Sequence, residues 1–176
     1  TSLIDESGKE RTLEVFGEHN LQNLNGARLV LNELGVSDEQ FYEAIQNFKG
    51  ASKRLEFVKR TEAAAVYKDF AHSPSKLKAT TNAVKEQFPD RRLIACMELH
   101  TFSSLNKEFL QQYKNSMIHA DKAIVYFSPH TLEHKKLDMI SEEEVKSAFA
   151  SENVEVYTSS EKIQKDLKAM NWSNTN

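Results

Sequence analysis

Apolar residues recur along this chain in two different rhythms. In the first fifty residues they fall at Leu21, Leu24, Ala27, Leu31 and Leu34, the three-and-four spacing of a helix, and the pattern stops at Gly35. Ser37 followed three residues later by Gln40 predicts a capping box ahead of a second helix over 41–48. Before both, Thr12 to Phe16 alternates weakly and predicts a short strand ending at Gly17. The run Lys49-Gly50-Ala51-Ser52 carries no periodicity and reads as a linker. A boundary is therefore expected there, with a small strand-helix-helix unit at 1–50 and a second domain at 51–176.

Beyond the linker, short apolar runs alternate with helical segments. Strands are expected at 55–59, 64–70, 93–97, 122–127 and 154–157, and helices at 74–88, 104–120, 141–150 and 160–170. Pro74 suits the first helical turn, where its missing N–H costs nothing, and Pro89-Asp90 ends the same helix. The continuous run Leu93 to Met97 is typical of a parallel strand buried on both faces. This alternation predicts an α/β fold, a doubly wound, mostly parallel sheet with helices on both faces. Ligands of such sheets bind at the carboxyl ends of strands, so the informative loops follow Phe70, Met97 and Phe127. After the last helix the rhythm calls for one more strand, so the second domain is expected to be cut before it.

Composition narrows the class without naming a function. A net charge of -3 gives no bulk attraction to nucleic acid or to an anionic membrane, and neither is expected as a partner. No apolar run approaches the ~20 residues of a membrane span, so a cytoplasmic protein is expected. The single cysteine, Cys96, sits inside an apolar run and is expected to be a small buried thiol.

Three polar clusters carry candidate chemistry. Gly17-Glu18-His19-Asn20-Leu21-Gln22-Asn23 spans a strand-to-helix turn. Asn20 and Asn23, three apart, present amides from one helix face; an amide donates and accepts at once, which suits the edge of an adenine ring. Capping of the helix by Asn20 is the alternative. In Lys53-Arg54-Leu55-Glu56, Arg54 can fork onto phosphate oxygens or pair with a surface carboxylate. Tyr67-Lys68-Asp69-Phe70-Ala71-His72-Ser73-Pro74 places Asp69 where a doubly wound sheet holds a ribose-binding acid, with a turn or cap role as the alternative. His72 reads as a loop histidine or a substrate contact.

In this order and spacing the clusters resemble the Mur ligase family of bacterial cell-wall synthesis. The shared features are G-x-H-N-x-x-N closing a central domain, R-x-E opening the C-terminal domain, and an acid at a strand end soon after. The stretches D-F-A-H-S-P-S-K-L-K-A-T at 69–80 and F-P-D-R-R-L-I-A at 88–95 are similar to the muramate-alanine branch. The resemblance covers about Val15 to Ala123. It implies a Rossmann-like C-terminal domain preceded by the end of a central ATP-binding domain. It further implies ATP and Mg2+, an acyl-phosphate intermediate on UDP-N-acetylmuramate, and amide formation with an incoming amine. Asn20 and Asn23 are then expected at adenine, Arg54 at the phosphates and Asp69 at the ribose. Lys53 stands where the family often has His.

The loop Glu98 to Asn106 follows a parallel strand, where the amine substrate of such a ligase is expected. The alanine-adding branch resembles P-H-R-Y-S-R-T here, with arginines for the amino-acid carboxylate; this chain has Thr101 and Ser104 at those positions. The departure points to the related branch that attaches the murein tripeptide L-Ala-γ-D-Glu-meso-Dap, reused from old wall. Its substrate contacts are expected from His72, His100, Thr101, Ser103, Ser104 and Asn106, with alanine addition as the alternative. A stand-alone doubly wound binding or regulatory module is the alternative from another class. His130 and His134 are four apart, but Pro129 predicts a loop and no third ligand is placed, so no metal site is expected. No G-x-x-x-x-G-K-S/T occurs, so no backbone cradle for the β- and γ-phosphates is present and the chain alone is expected to be inactive.

Overall fold

The computed structural model describes residues 1–175. The N-terminal unit opens with an antiparallel hairpin, β1 (Ser2–Ile4) and β2 (Glu10–Thr12), followed by α1 (Glu18–Glu33) and α2 (Asp38–Ile45). The strand expected over 12–16 is therefore displaced. Pairing ends at Thr12, and Leu13 to Phe16 run on as irregular chain whose apolar members, Leu13, Val15 and Phe16, are buried. Burial rather than strand pairing explains their alternation. The hairpin turn is tied by Asp5, whose carboxylate accepts from Ser7 N, Ser7 Oγ, Lys9 N and Arg11 Nε at 2.6–3.0 Å. Arg11 reaches on to Glu39 of α2 and lies over the Tyr42 ring, fastening hairpin to helix. The capping box at Ser37 is present in full.

The second unit contains a hairpin, β3 (Glu56–Arg60) and β4 (Ala65–Lys68), paired antiparallel with a register shift between Phe57 and Lys59. Helix α3 (Pro74–Gln87) leads to β5 (Ile94–Leu99), and a broken segment leads to β6 (Lys122–Phe127). Helices α5 (Pro129–His134) and α6 (Glu142–Phe149) precede β7 (Val154–Tyr157), and α7 (Ser160–Ala169) follows. Strands β5, β6 and β7 form a parallel sheet in that order. The fold is thus α/β with a Rossmann-like parallel core. Met97, Leu99, Val125 and Phe127 join Leu77, Val84, Val145 and Phe149 in its main apolar cluster.

Three expectations need correction. The helix expected over 104–120 is reduced to one turn, α4 (Lys107–Leu110), and a 3-10 turn at Gln111–Tyr113. Asn115 then adopts φ 58°, which an α-helix cannot contain. The apolar residues Leu110, Tyr113 and Met117 are nonetheless buried, so burial alone sustained the periodic pattern. Pro129 does not make a loop; it occupies the first turn of α5, where a missing N–H is harmless. Cys96 is exposed rather than buried, because its side of β5 faces an open slot beside β4. Among the described residues β3 and β4 pair as full strands only with each other, beside the parallel sheet.

Candidate functional site

Gly17 fixes the entry to α1. It is the N-cap at φ 88° and ψ 139°, and a Cβ there would lie 2.6 Å from the Cβ of Ala83 in α3. Only a residue without a side chain permits both the backbone angle and the approach of the two helices. Asn20 stands at the third helical position, so it is not the N-cap; its amide donates to Phe16 O at 2.9 Å. Asn23 is exposed on the next turn. His19 has a buried Nδ1 with no hydrogen-bond partner among the described residues. Phe16, just before the turn, meets Tyr67 of β4 edge-on at 5.4 Å, which brings this turn to the β4 side of the second unit.

Arg54 and Asp69 are neighbours through the backbone. Lys53 and Leu55 take left-handed angles, φ 56° and 50°, on either side of Arg54. Asp69 accepts the Leu55 N–H at 2.7 Å, and Phe70 N donates to Lys53 O at 2.9 Å. Glu56, the acid of the R-x-E run, accepts from Lys53 N and Ser52 Oγ, and these bonds hold its pKa below the ordinary value. Arg54 is left exposed, and no carboxylate pairs with it among the described residues. The surface-pair alternative therefore finds no partner. The turn alternative for Asp69 does: one oxygen is already committed to the linker.

The carboxyl ends of β4 and β5 converge. Phe70 lies tilted against His72 at 4.9 Å and His100 at 6.2 Å between ring centroids. Each histidine Nδ1 meets the carbonyl two residues earlier, Phe70 O at 3.0 Å and Glu98 O at 3.2 Å. Both rings are thereby oriented by their own loops, with Nε2 left for another partner. Tyr113 Oη donates to His72 O at 2.6 Å, fixing the His72 loop from below, and burial pushes the Tyr113 phenol up to about 12. Asp69, Phe70, His72, Glu98 and His100 all border a cavity of about 730 Å³ between β4 and β5.

The 100–106 loop is satisfied from within. Thr101 and Ser104 exchange backbone-to-hydroxyl bonds of 3.0 Å in both directions, their hydroxyls meet at 2.8 Å, and Ser104 is buried. Asn106 caps α4 by accepting from Phe109 N. These three residues shape the loop, and Ser104 and Asn106 do not present their side chains as free ligand contacts. Ser103 is exposed with its hydroxyl near Thr101 Oγ1. Sequence reasoning missed two flanking residues, Phe70 and Phe102. Both are exposed, and Lys135 at the C-terminal end of α5 sits 3.9 Å from the centre of the Phe102 ring. Exposed aromatics at strand ends were the available signal. His130 and His134 stack at 6.4 Å, and no group of three His, Cys, Asp or Glu side chains gathers to hold a metal among the described residues.

Comparison with known proteins bears on the family and the fold. The family described as "Mur ligase, glutamate ligase domain" matches residues 53–172. The UDP-N-acetylmuramate–L-alanine ligase of Fusobacterium nucleatum is 31% identical over 157 residues, 84% of this chain and 33% of that protein. The Desulfitobacterium hafniense enzyme of the same name is 33% identical over 113 residues, covering 64% and 25% respectively. The solved UDP-N-acetylmuramate–alanine ligase of Thermotoga maritima superposes with a TM-score of 0.70 at 18% identity, over 95% of this chain and 35% of that one. A murein peptide ligase from Psychrobacter arcticus does so at 0.63 and 22%, over 95% and 34%. The chain spans only about a quarter to a third of the curated relatives it matches. With a family match across most of its length, this chain belongs to the Mur ligase family.

Proposed function

We propose that this chain is the C-terminal part of an ATP-dependent ligase that joins L-Ala-γ-D-Glu-meso-Dap to UDP-N-acetylmuramate in the cytoplasm, in peptidoglycan recycling. Residues 1–50 are then the end of the central ATP-binding domain and 51–176 the C-terminal domain. The carrying observation is the 100–106 loop: Thr101 and Ser104 bond to each other and no arginine stands there. An amino acid as small as alanine offers its carboxylate as the main handle. A loop without a cation suits a longer peptide with other handles. The alanine ligase is the second reading, favoured by the names of the two curated relatives given above.

In the proposed role Asn20 and Asn23 border the adenine, Arg54 the phosphates and Asp69 the ribose. The residues present fit a nucleotide in part: Arg54 is exposed with no paired carboxylate among the described residues, Asn23 is exposed, and the Leu55 N–H takes only one oxygen of Asp69. ATP and Mg2+ would supply the γ-phosphoryl group and neutralise its charge. The muramyl carboxylate takes that group, and the incoming amine then displaces phosphate as the amide bond forms. His72 and His100 border the amine substrate, Ser103 reaches it from the loop tip, and Thr101, Ser104 and Asn106 hold the loop in shape. With no glycine-rich phosphate loop, the chain alone is expected to give no turnover.

The test uses the full-length protein with ATP, Mg2+ and UDP-N-acetylmuramate, offering tripeptide or alanine and weighing the product by mass spectrometry. A missing charge-assisted bond costs about 1.5–3 kcal/mol, so kcat/KM should favour tripeptide by roughly 10- to 150-fold. Equal or better use of alanine overturns the tripeptide reading in favour of the second. No amide with either overturns both.

A further inference from the structure

Two segments leave the parallel sheet side by side. Leu99 of β5 stands opposite Phe127 of β6, so the stretches beginning at His100 and Ser128 start as neighbours at the carboxyl edge. In the first, Thr101 and Ser104 are tied to each other, while Phe102 between them is 61% exposed. In the second, α5 seats Leu132 fully in the core and closes at Lys135, whose N–H donates to Thr131 O at 3.0 Å. Lys136 then turns the chain at φ 54°. These anchors fix the base of the Lys135 side chain, and its Nζ rests 3.9 Å from the centre of the Phe102 ring.

The ring holds the ammonium without cancelling its charge. An aromatic face attracts a cation through its quadrupole and carries no net charge of its own. Lys107, just past the first loop, and Lys122, at the start of β6, pair with Glu144 and Glu155. No carboxylate pairs with Lys135 among the described residues, although it is half-buried. A cation drawn partly out of water and left unneutralised attracts an anion more strongly than one free in solvent. Its position matters as much as its charge. Ser104 is buried and Phe102 is exposed, so the cation sits at the outer rim of the loop and not at position 104.

We propose that Lys135, seated on Phe102, binds a carboxylate at the diaminopimelyl end of the amine substrate, with Phe102 as its positioning residue. The assignment rests on the tripeptide reading above. Alanine has its one carboxylate a single carbon from the reacting nitrogen. The tripeptide carries carboxylates on its last residue, far from the amine that reacts. A cation delivered to the rim by a second element suits a distant carboxylate, and it supplies the charge that the 100–106 loop lacks.

The experiment uses the full-length protein with ATP, Mg2+ and UDP-N-acetylmuramate. It offers the tripeptide and the same tripeptide with both diaminopimelate carboxylates amidated. The parent should prefer the free acid by about tenfold or more in kcat/KM. In Lys135→Gln that preference should fall to within about twofold, through KM rather than kcat, and Lys135→Arg should keep it. Phe102→Leu should lower the preference, and adding it to Lys135→Gln should lower it no further. A Lys135→Gln variant that discriminates as the parent does overturns the proposal. So does an equal loss on both peptides, which marks a structural role. A parent that prefers alanine, or forms no amide, overturns the reading beneath the proposal and the proposal with it.

Discussion

Gly17→Ala tests whether the approach of α1 to α3 is held by a missing side chain. The backbone at φ 88° and ψ 139° lies close to a region populated almost entirely by glycine, and holding alanine there costs about 1–3 kcal/mol. The new Cβ would also stand 2.6 Å from Ala83 Cβ in a buried contact, and forced overpacking costs about 1–3 kcal/mol more. The His19 ring carbon at 3.2 Å can swing aside and adds little. The expected loss is about 2–6 kcal/mol. The two parts separate in a double-mutant cycle with Ala83→Gly, itself costing about 1 kcal/mol as a helix-interior glycine. In that background the clash is gone and Gly17→Ala should cost only its backbone part, about 1–3 kcal/mol. Urea unfolding followed by circular dichroism and Trp172 fluorescence measures all four corners. An equal cost in both backgrounds refutes the clash; a cost below about 0.5 kcal/mol in either refutes the backbone argument as well.

Asp5 and Tyr113 give predictions with a definite sign in pH. The bonds from Ser7 and then Arg11 hold Asp5 well below its ordinary value of 3.8, so its contribution to stability is whole above that value and is lost as pH falls below it. Asp5→Asn should lower the urea midpoint at pH 7, with the gap to the parent narrowing toward pH 2; an unchanged gap would sink the reading. Tyr113 is pushed the other way, to about 12 by burial, so its contribution is whole below the ordinary value of 10.0 and is lost as pH rises to about 12. Tyr113→Phe should flatten the alkaline fall in stability, and losing its bond to His72 O should cost about 0.5–1.5 kcal/mol at pH 7. A variant with the parent's alkaline profile would contradict this.

Strand β6 lies where the apolar run puts it, because a strand buried on both faces leaves an unbroken signal, and β7, with Glu155 exposed between Val154 and Val156, is marked by its β-branched residues. The Ser37 capping box was legible because its two bonds involve residues three apart. The hairpin β1–β2 was not: each strand has three residues, and what stabilises it is Asp5, which ties the turn, and Arg11, which reaches Glu39 on a separate helix. The 104–120 segment failed for a related reason. A buried irregular segment can repeat apolar residues every three or four positions, and only a positive φ at Asn115 reveals that it is not a helix. At the site, the strand-end loops and their histidines were legible from position alone. The commitment of Thr101, Ser104 and Asn106 to their own loop was not, since hydroxyl and amide side chains serve turns and ligands equally well.

The bond from Leu55 N to Asp69 has a thermodynamic consequence. It fastens a linker whose residues Lys53 and Leu55 sit in a backbone region costly for side chains. Any molecule drawn to the other oxygen of this carboxylate shares its single charge with the bond that holds the joint. Occupancy and linker geometry are then reciprocal: whatever free energy the ligand adds to or takes from the fastened state, fastening adds to or takes from the ligand. Asp69→Asn keeps an acceptor for the amide while removing the charge, so it separates the mechanical duty of this side chain from its electrostatic one.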